Sequence, residues 1–236
     1  MKRKFAVSVA VACGVLGVWA DTQVWNDSGA DNLWSTNAAN WADSTVWTNG
    51  NAALFTGNNG TSLGETVDVD GDIIFSGMRF LTNGYTIADA NNNGTFTLTN
   101  QPNIETVSTA GTTIISESLA GTGGFNKTGA GLLQLTASNT YSGVTTVKAG
   151  TLRLSDNVLT ALGATGTGNG TVVEDGATLD TYSAYKSSVN EDITIIGSGV
   201  NGAGAFVNNG PTPYYNVGYR NLTLAGNAVI GGSQRF

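Results

Sequence analysis

The segment that decides the fold is residues 121–154, which read GTGGFNKTGAGLLQLTASNTYSGVTTVKAGTLRL. Apolar and polar residues alternate there in short runs, such as Leu-Gln-Leu at 133–135 and Leu-Arg-Leu at 152–154. A period of two is typical of a half-buried β-strand, because successive side chains of a strand point to opposite faces. We therefore predict a set of inward-facing residues: Leu133, Leu135, Val147, Leu152 and Leu154.

The same alternation recurs along the chain, at 67–69, 96–98, 193–195 and 222–224, and Asn-Gly or Asp-Gly turn signals separate the runs. After residue 20 we find no run of ten residues with convincing helical periodicity. Glycine supplies 33 of the 236 residues and charged residues only 11%, a composition poor in strong helix formers. The sequence therefore predicts an all-β protein.

The spacing of the strands suggests how they are arranged. Leu135 to Leu154 is 19 residues, Leu154 to Val173 is again 19, and Val173 to Ile195 is 22. A period of about twenty residues indicates a solenoid, whose coils bury their apolar faces by stacking. Because strands are the only regular element, we predict a right-handed parallel β-helix. An antiparallel sandwich shares many of these cues, and the period alone does not exclude it.

The segment 121–154 resembles the autotransporter-associated beta strand repeat, which is also called the passenger-associated transport repeat. The motif positions that carry the resemblance are Gly121, Gly123, Gly124, Phe125, Lys127, Gly129, Gly131, Leu133 and Leu135, then Asn139, Thr140, Tyr141, Gly143, Thr145 and Val147, and then Gly150, Thr151 and Leu152. The resemblance implies a passenger-type β-helix stalk. Such a module is structural and exported, its repeat supports secretion and folding at the cell surface, and no catalysis is expected of it.

The chemistry of the motif residues suggests structural roles. We predict that Asn139 caps or bridges a turn through its amide and that Tyr141 covers the end of a strand. Lys127 has two interpretations, a catalytic base or a solvated turn residue that hydrogen-bonds the neighbouring coil; the structural one is favoured because the repeat carries a lysine there. Four glycines are predicted at bends where side chains would crowd: Gly129, Gly131, Gly143 and Gly150.

Residues 1–20 have the three parts of a secretory signal peptide: basic residues at 2–4, an apolar run to Trp19, and a small residue at Ala20. The apolar run is too short for a stable membrane span. Removing the leader gives a formal charge of −10, because three of the ten basic residues are lost, and such a chain should repel nucleic acid and anionic membranes. Cys13, the only cysteine, belongs to the leader, although a lipoprotein acceptor cysteine is an alternative.

Four tryptophans follow the leader, and they resemble the opening segment of exported bacterial proteins that carry this repeat. Trp25, Trp34, Trp41 and Trp47 could stack on sugar rings or form an aromatic cap on the first coil, which a solenoid needs. We favour the cap. The predicted organisation is a signal peptide (1–20), a Trp-rich N-terminal cap segment (21–66) and parallel β-helix coils (67–236).

A second aromatic group comprises Tyr214, Tyr215 and Tyr219. It could form a protruding loop that binds a surface glycan or another cell-surface protein. It could equally form a lateral strand with aromatic stacking between coils. A carbohydrate-binding or adhesive surface module is therefore the first alternative function.

The acidic residues offer little chemistry. Asp68, Asp70 and Asp72 could bind calcium, but their spacing is not that of an EF-hand, and a strand that ends in an Asp-Gly turn is favoured. The acidic pairs at 174–175 and 191–192 are expected to be solvated turn residues, and adjacent strand residues point to opposite faces. Histidine is absent, which excludes a Ser-His-Asp unit. We predict no catalytic, cofactor-binding or metal site, and a polysaccharide-degrading β-helix enzyme is the second alternative.

The last residues, Ala228–Phe236, read as the start of another strand unit. We expect the chain to be part of a longer one with further coils or a C-terminal membrane barrel. The predicted location is the cell surface, the outer membrane or the extracellular medium.

Overall fold

A computed structural model describes residues 21–26, 31–57, 64–155, 158, 160–182, 191–211 and 219–234. The predicted signal peptide with Cys13, and the pair Tyr214 and Tyr215, lie outside these residues. The strands are β1 (Thr22–Trp25), β2 (Leu33–Trp34), β3 (Ala52–Phe55), β4 (Thr66–Val69), β5 (Asp72–Phe80), β6 (Thr86–Ala88), β7 (Thr95–Thr106), β8 (Thr112–Ile115), β9 (Leu119–Gly121), β10 (Phe125–Thr128), β11 (Leu132–Leu135), β12 (Val144–Val147), β13 (Thr151–Arg153), β14 (Gly170–Val173), β15 (Thr178–Asp180), β16 (Asp192–Gly197), β17 (Phe206–Asn208), β18 (Asn221–Ala228) and β19 (Ile230–Gly232). Two short 3-10 helices, Ala42–Ser44 and Val200–Gly202, complete the described elements.

The chain alternates between two sheets as it advances. Sheet A has the strand order β1-β3-β5-β7-β10-β12-β14-β16-β18, with β9 also paired to β7, and sheet B runs from β19 to β2 through β17, β15, β13, β11, β8, β6 and β4. Neighbouring strands in both sheets are parallel; for example, β12 pairs with β14 and β11 with β13. This topology is that of a parallel β-helix, and it excludes the antiparallel sandwich.

Period-two alternation decides which side chains enter the interior. In β11 the burial alternates along Leu132–Leu135, so that Leu133 and Leu135 are buried while their neighbours are partly exposed. The parallel register then stacks inward residues of successive coils into a column that contains Leu133, Leu152, Leu179 and Phe206. The predicted inward positions are thus confirmed, and burial of such columns is the main stabilising contribution that the sequence supplies.

The spacing of the coils is less regular than predicted. Leu133 pairs with Leu152, 19 residues on, but Leu152 pairs with Leu179, 27 residues on. Leu154 follows β13 of sheet B, whereas Val173 belongs to β14 of sheet A. Leu154 and Val173 therefore do not occupy equivalent positions in successive coils. The prediction that they are one period apart was wrong. The connections vary in length while the strand register is kept.

The β-helix starts earlier than the predicted boundary at residue 67. β1 and β3 pair in parallel, with Thr22 opposite Ala52 and Trp25 opposite Phe55. Both strands lie inside the segment 21–66 that was predicted as a cap, so that segment supplies strands to the helix itself. Antiparallel bridges link Trp41 to Trp25 and to Thr45 at this end, and they depart from the parallel pattern of the other coils.

The corners show why the motif is rich in glycine. Gly124 has a φ of 60° and Gly150 a φ of 66°, in the left-handed region that side-chain-bearing residues rarely adopt. A Cβ atom at Gly124 would collide with the carbonyl oxygen of Val144, and one at Gly150 with that of Gly129. The same crowding holds for Gly129, Gly131 and Gly143. The predicted crowding at the bends is confirmed.

Candidate functional site

The repeat places a lysine inside an aliphatic column of sheet A. Lys127 lies opposite Ile104 on one neighbouring strand and Val147 on the other. Val147 in turn pairs with Val173, and Ile104 with Met78. The Lys127 side chain is 0% exposed, so the prediction of a solvated turn residue was wrong.

The ammonium group of Lys127 joins two successive turns of the chain. Its Nζ donates to the carbonyl oxygens of Thr128 at 2.8 Å, Gly129 at 2.9 Å and Ala149 at 3.0 Å. Three acceptors match the three donors of an ammonium. Burial lowers the pKa of Lys127 to about 7, and the nearby Glu105 carboxylate opposes that shift. The predicted hydrogen bond to the neighbouring coil is confirmed by the bond to Ala149.

Asn139 links the coils on both of its sides. Its Oδ1 accepts from the backbone N–H of Leu119 at 2.9 Å, and its Nδ2 donates to the carbonyl oxygen of Ala161 at 2.6 Å. The side chain is buried, so these bonds satisfy polar groups that would otherwise be costly in the interior. The predicted bridging role of Asn139 is confirmed.

Tyr141 is a fully buried residue just before β12. Its hydroxyl shares a hydrogen bond of 2.6 Å with Thr145 Oγ1, and its ring meets that of Phe125 edge-on at 5.7 Å. Burial raises the pKa of the Tyr141 hydroxyl, which keeps it neutral. The side chain therefore belongs to the interior of the repeat.

The four tryptophans form one buried cluster at the β1 and β2 end. Trp34 lies with its ring centroid 5.2 Å from Trp41, 5.0 Å from Trp47 and 5.0 Å from Phe96. Trp25 meets Trp41 at 5.3 Å, and all four indoles are at most 2% exposed. Each ring face is covered by another ring or by the core, so these residues cannot act as exposed sugar-stacking platforms in this structure.

Of the second aromatic group (Tyr214, Tyr215 and Tyr219), only Tyr219 lies among the described residues. It is partly buried and packs on the core, with its ring edge-on to Phe206 at 5.1 Å. Burial raises the pKa of Tyr219. This contact is of the kind expected from aromatic stacking between coils. The ligand-binding role of Tyr214 and Tyr215 stays a prediction.

The carboxylates of Asp68 and Asp70 accept hydrogen bonds from a turn of the next coil. Asp68 Oδ1 accepts from the backbone N–H of Ala90 at 2.8 Å, and Asp70 Oδ1 accepts from Asn93 Nδ2 at 2.8 Å. Both are partly exposed while the alternating residues Val67 and Val69 are buried, as a strand before an Asp-Gly turn requires. Within the described ranges, no group of three or more His, Cys, Asp or Glu residues could hold a metal ion.

Among the described residues, three carboxyl groups are buried where sequence reasoning did not place them, those of Glu117, Asp180 and Glu191. Asp180 is 1% exposed and accepts from Arg153 Nε at 3.0 Å and from the backbone N–H groups of Tyr182 and Asn209. Glu191 is 0% exposed, so the prediction that it is a solvated turn residue was wrong. One feature of the sequence did indicate burial: Glu191 is two residues before the inward-facing Ile193, so both lie on the same face of the strand. Asp192 beside it faces outward, as predicted for adjacent strand residues.

Comparison with known proteins agrees with this structural interpretation. Residues 125–154 match the model of the family described as "Passenger-associated-transport-repeat". Over 141 residues the chain is 40% identical to "Adhesin BmaC autotransporter" of Brucella suis biovar 1 (strain 1330). That alignment covers 59% of this chain and 4% of the relative's length. No solved structure matches the chain at a significant level.

These findings define the class of the protein. The chain carries an autotransporter passenger repeat, and it is an exported passenger-type module of the cell surface or the outer membrane. No helix in the described part of the chain is long and apolar enough to cross a membrane.

Proposed function

We propose that the chain is a structural stalk whose repeat supports secretion and folding at the cell surface. The observation that carries the proposal is that the repeat's buried polar side chains bond across coils. Lys127 reaches Ala149, 22 residues on, and Asn139 reaches Leu119, 20 residues back, and Ala161, 22 residues on. These groups are satisfied only when the neighbouring coil is in place, so each coil is completed by the next.

Coil-by-coil completion suits a chain that folds as it emerges on the outer side of a membrane. A solenoid is held by nearest-neighbour contacts, and its folding propagates from any coil that has formed. The tryptophan cluster at the β1 and β2 end fits such a starting point, because it buries large rings against Phe55 and Phe96. We propose that this cluster caps the rod.

The role of the stalk does not require catalysis. The buried carboxyls of Asp180 and Glu191 are 1% and 0% exposed, which keeps both away from a polysaccharide chain. The second candidate function is adhesion, and the similarity to the autotransporter adhesin of Brucella suis favours it. Any adhesive surface would then lie outside the tryptophan cluster, and Tyr214 and Tyr215 remain the aromatic candidates.

Surface display tests the stalk proposal. In cells that export the precursor, we expect Asn139→Ala to lower the amount of chain reached by external protease or antibody several-fold, because both bridging bonds are lost. Asn91→Ala, at an exposed asparagine, is the matched control and should display normally. Normal display of Asn139→Ala together with a lowered melting temperature would show that the repeat stabilises the rod without supporting secretion. Adhesion of the same cells to glycan-coated or protein-coated surfaces, with and without Tyr214→Ala and Tyr215→Ala, tests the second candidate.

A further inference from the structure

Glu191 is a carboxyl group enclosed at the junction of three coils. Its Oε1 accepts from Thr171 Oγ1 at 2.8 Å, on the coil that precedes it. Its Oε2 is buried and has no hydrogen-bond partner among the described residues. The next residue, Asp192, faces the coil that follows and accepts from Arg220 Nε at 2.9 Å and Asn221 Nδ2 at 2.7 Å. Residues 191 and 192 thus hold the coils on both sides.

Among the described residues, the groups that face Glu191 do not supply a buried positive charge. Tyr141 and Tyr219 interact with it from the segments before β12 and β18, and burial raises the pKa of both hydroxyls, so they stay neutral. Asp192 adds negative charge from the same strand, and Arg220 is an exposed cation that already pairs with Asp192.

Asp180, on β15, interacts with Tyr219 and pairs with Arg153. Within the described part of the chain, the charges around Glu191 are therefore already paired with one another. Burial raises the pKa of Glu191 to about 7, the Thr171 hydroxyl and Arg220 oppose that rise, and Asp192 adds to it.

We propose that Glu191 is a pH-sensitive clasp: as a neutral acid it holds the β16–β17 coil on the β14–β15 coil, and on ionisation it releases the β16–β17 coil and the β18–β19 coil beyond it. An ionised carboxylate without a buried counter-charge is expelled towards water, since its desolvation is costly. Movement of the Glu191 side chain towards water breaks its hydrogen bond to Thr171. It also displaces the backbone next to Asp192, which holds the following coil. Because a solenoid couples nearest neighbours, the effect is confined to coils at this end.

The direction of the pH dependence follows from the raised pKa. Below the ordinary glutamate pKa of 4.5 the side chain is protonated in both the closed and the open coil, and the full stabilisation is present. Between that value and about 7 the closed coil holds a proton that the open coil has lost. Opening therefore becomes about tenfold more favourable per pH unit. Above this range the stabilisation is gone and the dependence levels off.

Hydrogen exchange on the exported full chain tests the clasp. The measurement is the opening equilibrium of amides in Asp192–Asn208, after correction for intrinsic exchange rates, from pH 4.5 to 8. We expect the wild type to open about tenfold more per pH unit up to about pH 7, and Glu191→Gln to be flat over the range. Glu174→Gln makes the same change at an exposed glutamate on the preceding turn, and it should retain the wild-type slope.

A wild type without the slope, or a Glu191→Gln variant that keeps it, would overturn the proposal. Because Glu117 is also buried and its pKa is raised to about 7, amides of β8 serve as an internal reference that Glu191→Gln should leave unchanged. If Glu191→Gln fails to fold, a carbon NMR titration of the wild-type glutamate carboxyls decides. A Glu191 midpoint near that of an ordinary glutamate contradicts the clasp, and a midpoint near neutral pH supports it.

Discussion

Lys127→Ala is expected to lower the free energy of unfolding of the repeat coils by about 4 kcal/mol. The substitution leaves the carbonyl oxygens of Thr128, Gly129 and Ala149 without the donor that now satisfies them. Each unsatisfied buried acceptor costs about 1–3 kcal/mol, and the lost aliphatic stem leaves a cavity between Ile104 and Val147. Relief from burying a cation offsets part of this loss.

Two further variants separate the contributions of Lys127. Lys127→Met keeps the stem in the column and removes only the donors, so we expect about half of the loss. Lys148→Ala makes the same truncation at an exposed lysine of the next turn and should change stability by less than about 0.5 kcal/mol. Urea denaturation followed by far-UV circular dichroism measures all three. Equal midpoints for Lys127→Ala and Lys148→Ala would contradict the carbonyl-binding role.

Trp34→Ala is expected to destabilise the first coils by about 3–5 kcal/mol. The indole contacts Trp41, Trp47, Phe55 and Phe96 at centroid distances of 5.0–5.5 Å, so its removal opens a cavity at the centre of the cluster. Since a solenoid is coupled between neighbouring coils, we expect the loss to appear in β1 to β4 and to fade towards the repeat.

Hydrogen exchange resolves where the loss from Trp34→Ala occurs. Amides of β3 should lose protection while those of β11 to β13 keep theirs. Val46→Ala lies in the same segment, at a side chain that is 40% exposed, and it should have little effect. Uniform loss of protection over the whole rod would indicate that the chain unfolds as one cooperative unit and would refute a local cap.

The sequence was sufficient for the elements that depend on alternation alone. Leu133, Leu135 and Leu152 face inward because a strand that is buried on one side must alternate, and the stacking of those faces favours parallel neighbouring strands. The corner glycines were also predictable, since the resemblance gave their positions and the close approach of neighbouring backbones explains them. These features are local, and each is repeated by the next coil.

The sequence was insufficient wherever a side chain's environment is assembled from separate coils. Lys127 was expected to be solvated because lysine is polar, but the carbonyl oxygens that receive it belong to two different turns. The period failed between Leu154 and Val173 because connections of unequal length follow strands of different sheets. Neither the carbonyl arrangement nor the register can be counted from residue spacing.

Burial of the tryptophans and of Glu191 illustrates the same limit. From the sequence, Trp34 could belong to an aromatic cap or to a sugar-stacking surface. Only the neighbouring rings in the folded structure show that its faces are buried. For Glu191 the alternation with Ile193 pointed inward, while the residue type and the flanking acidic residue pointed outward. Here the position in the strand prevailed over the usual preference of a carboxylate for water.

Disulfide trapping tests the central claim, that the chain is a stack of parallel coils in the register given above. Thr146 and Val172 are register partners on the outward face of β12 and β14, and parallel neighbours about 4.8 Å apart fall within disulfide reach. With Cys13, the only native cysteine, replaced, the pair Thr146→Cys and Val172→Cys should cross-link under mild oxidation, as peptide mapping would show. The pair Thr146→Cys and Val173→Cys should not, because Val173 faces the interior. The contradicting result is cross-linking of the 146/173 pair with none at 146/172.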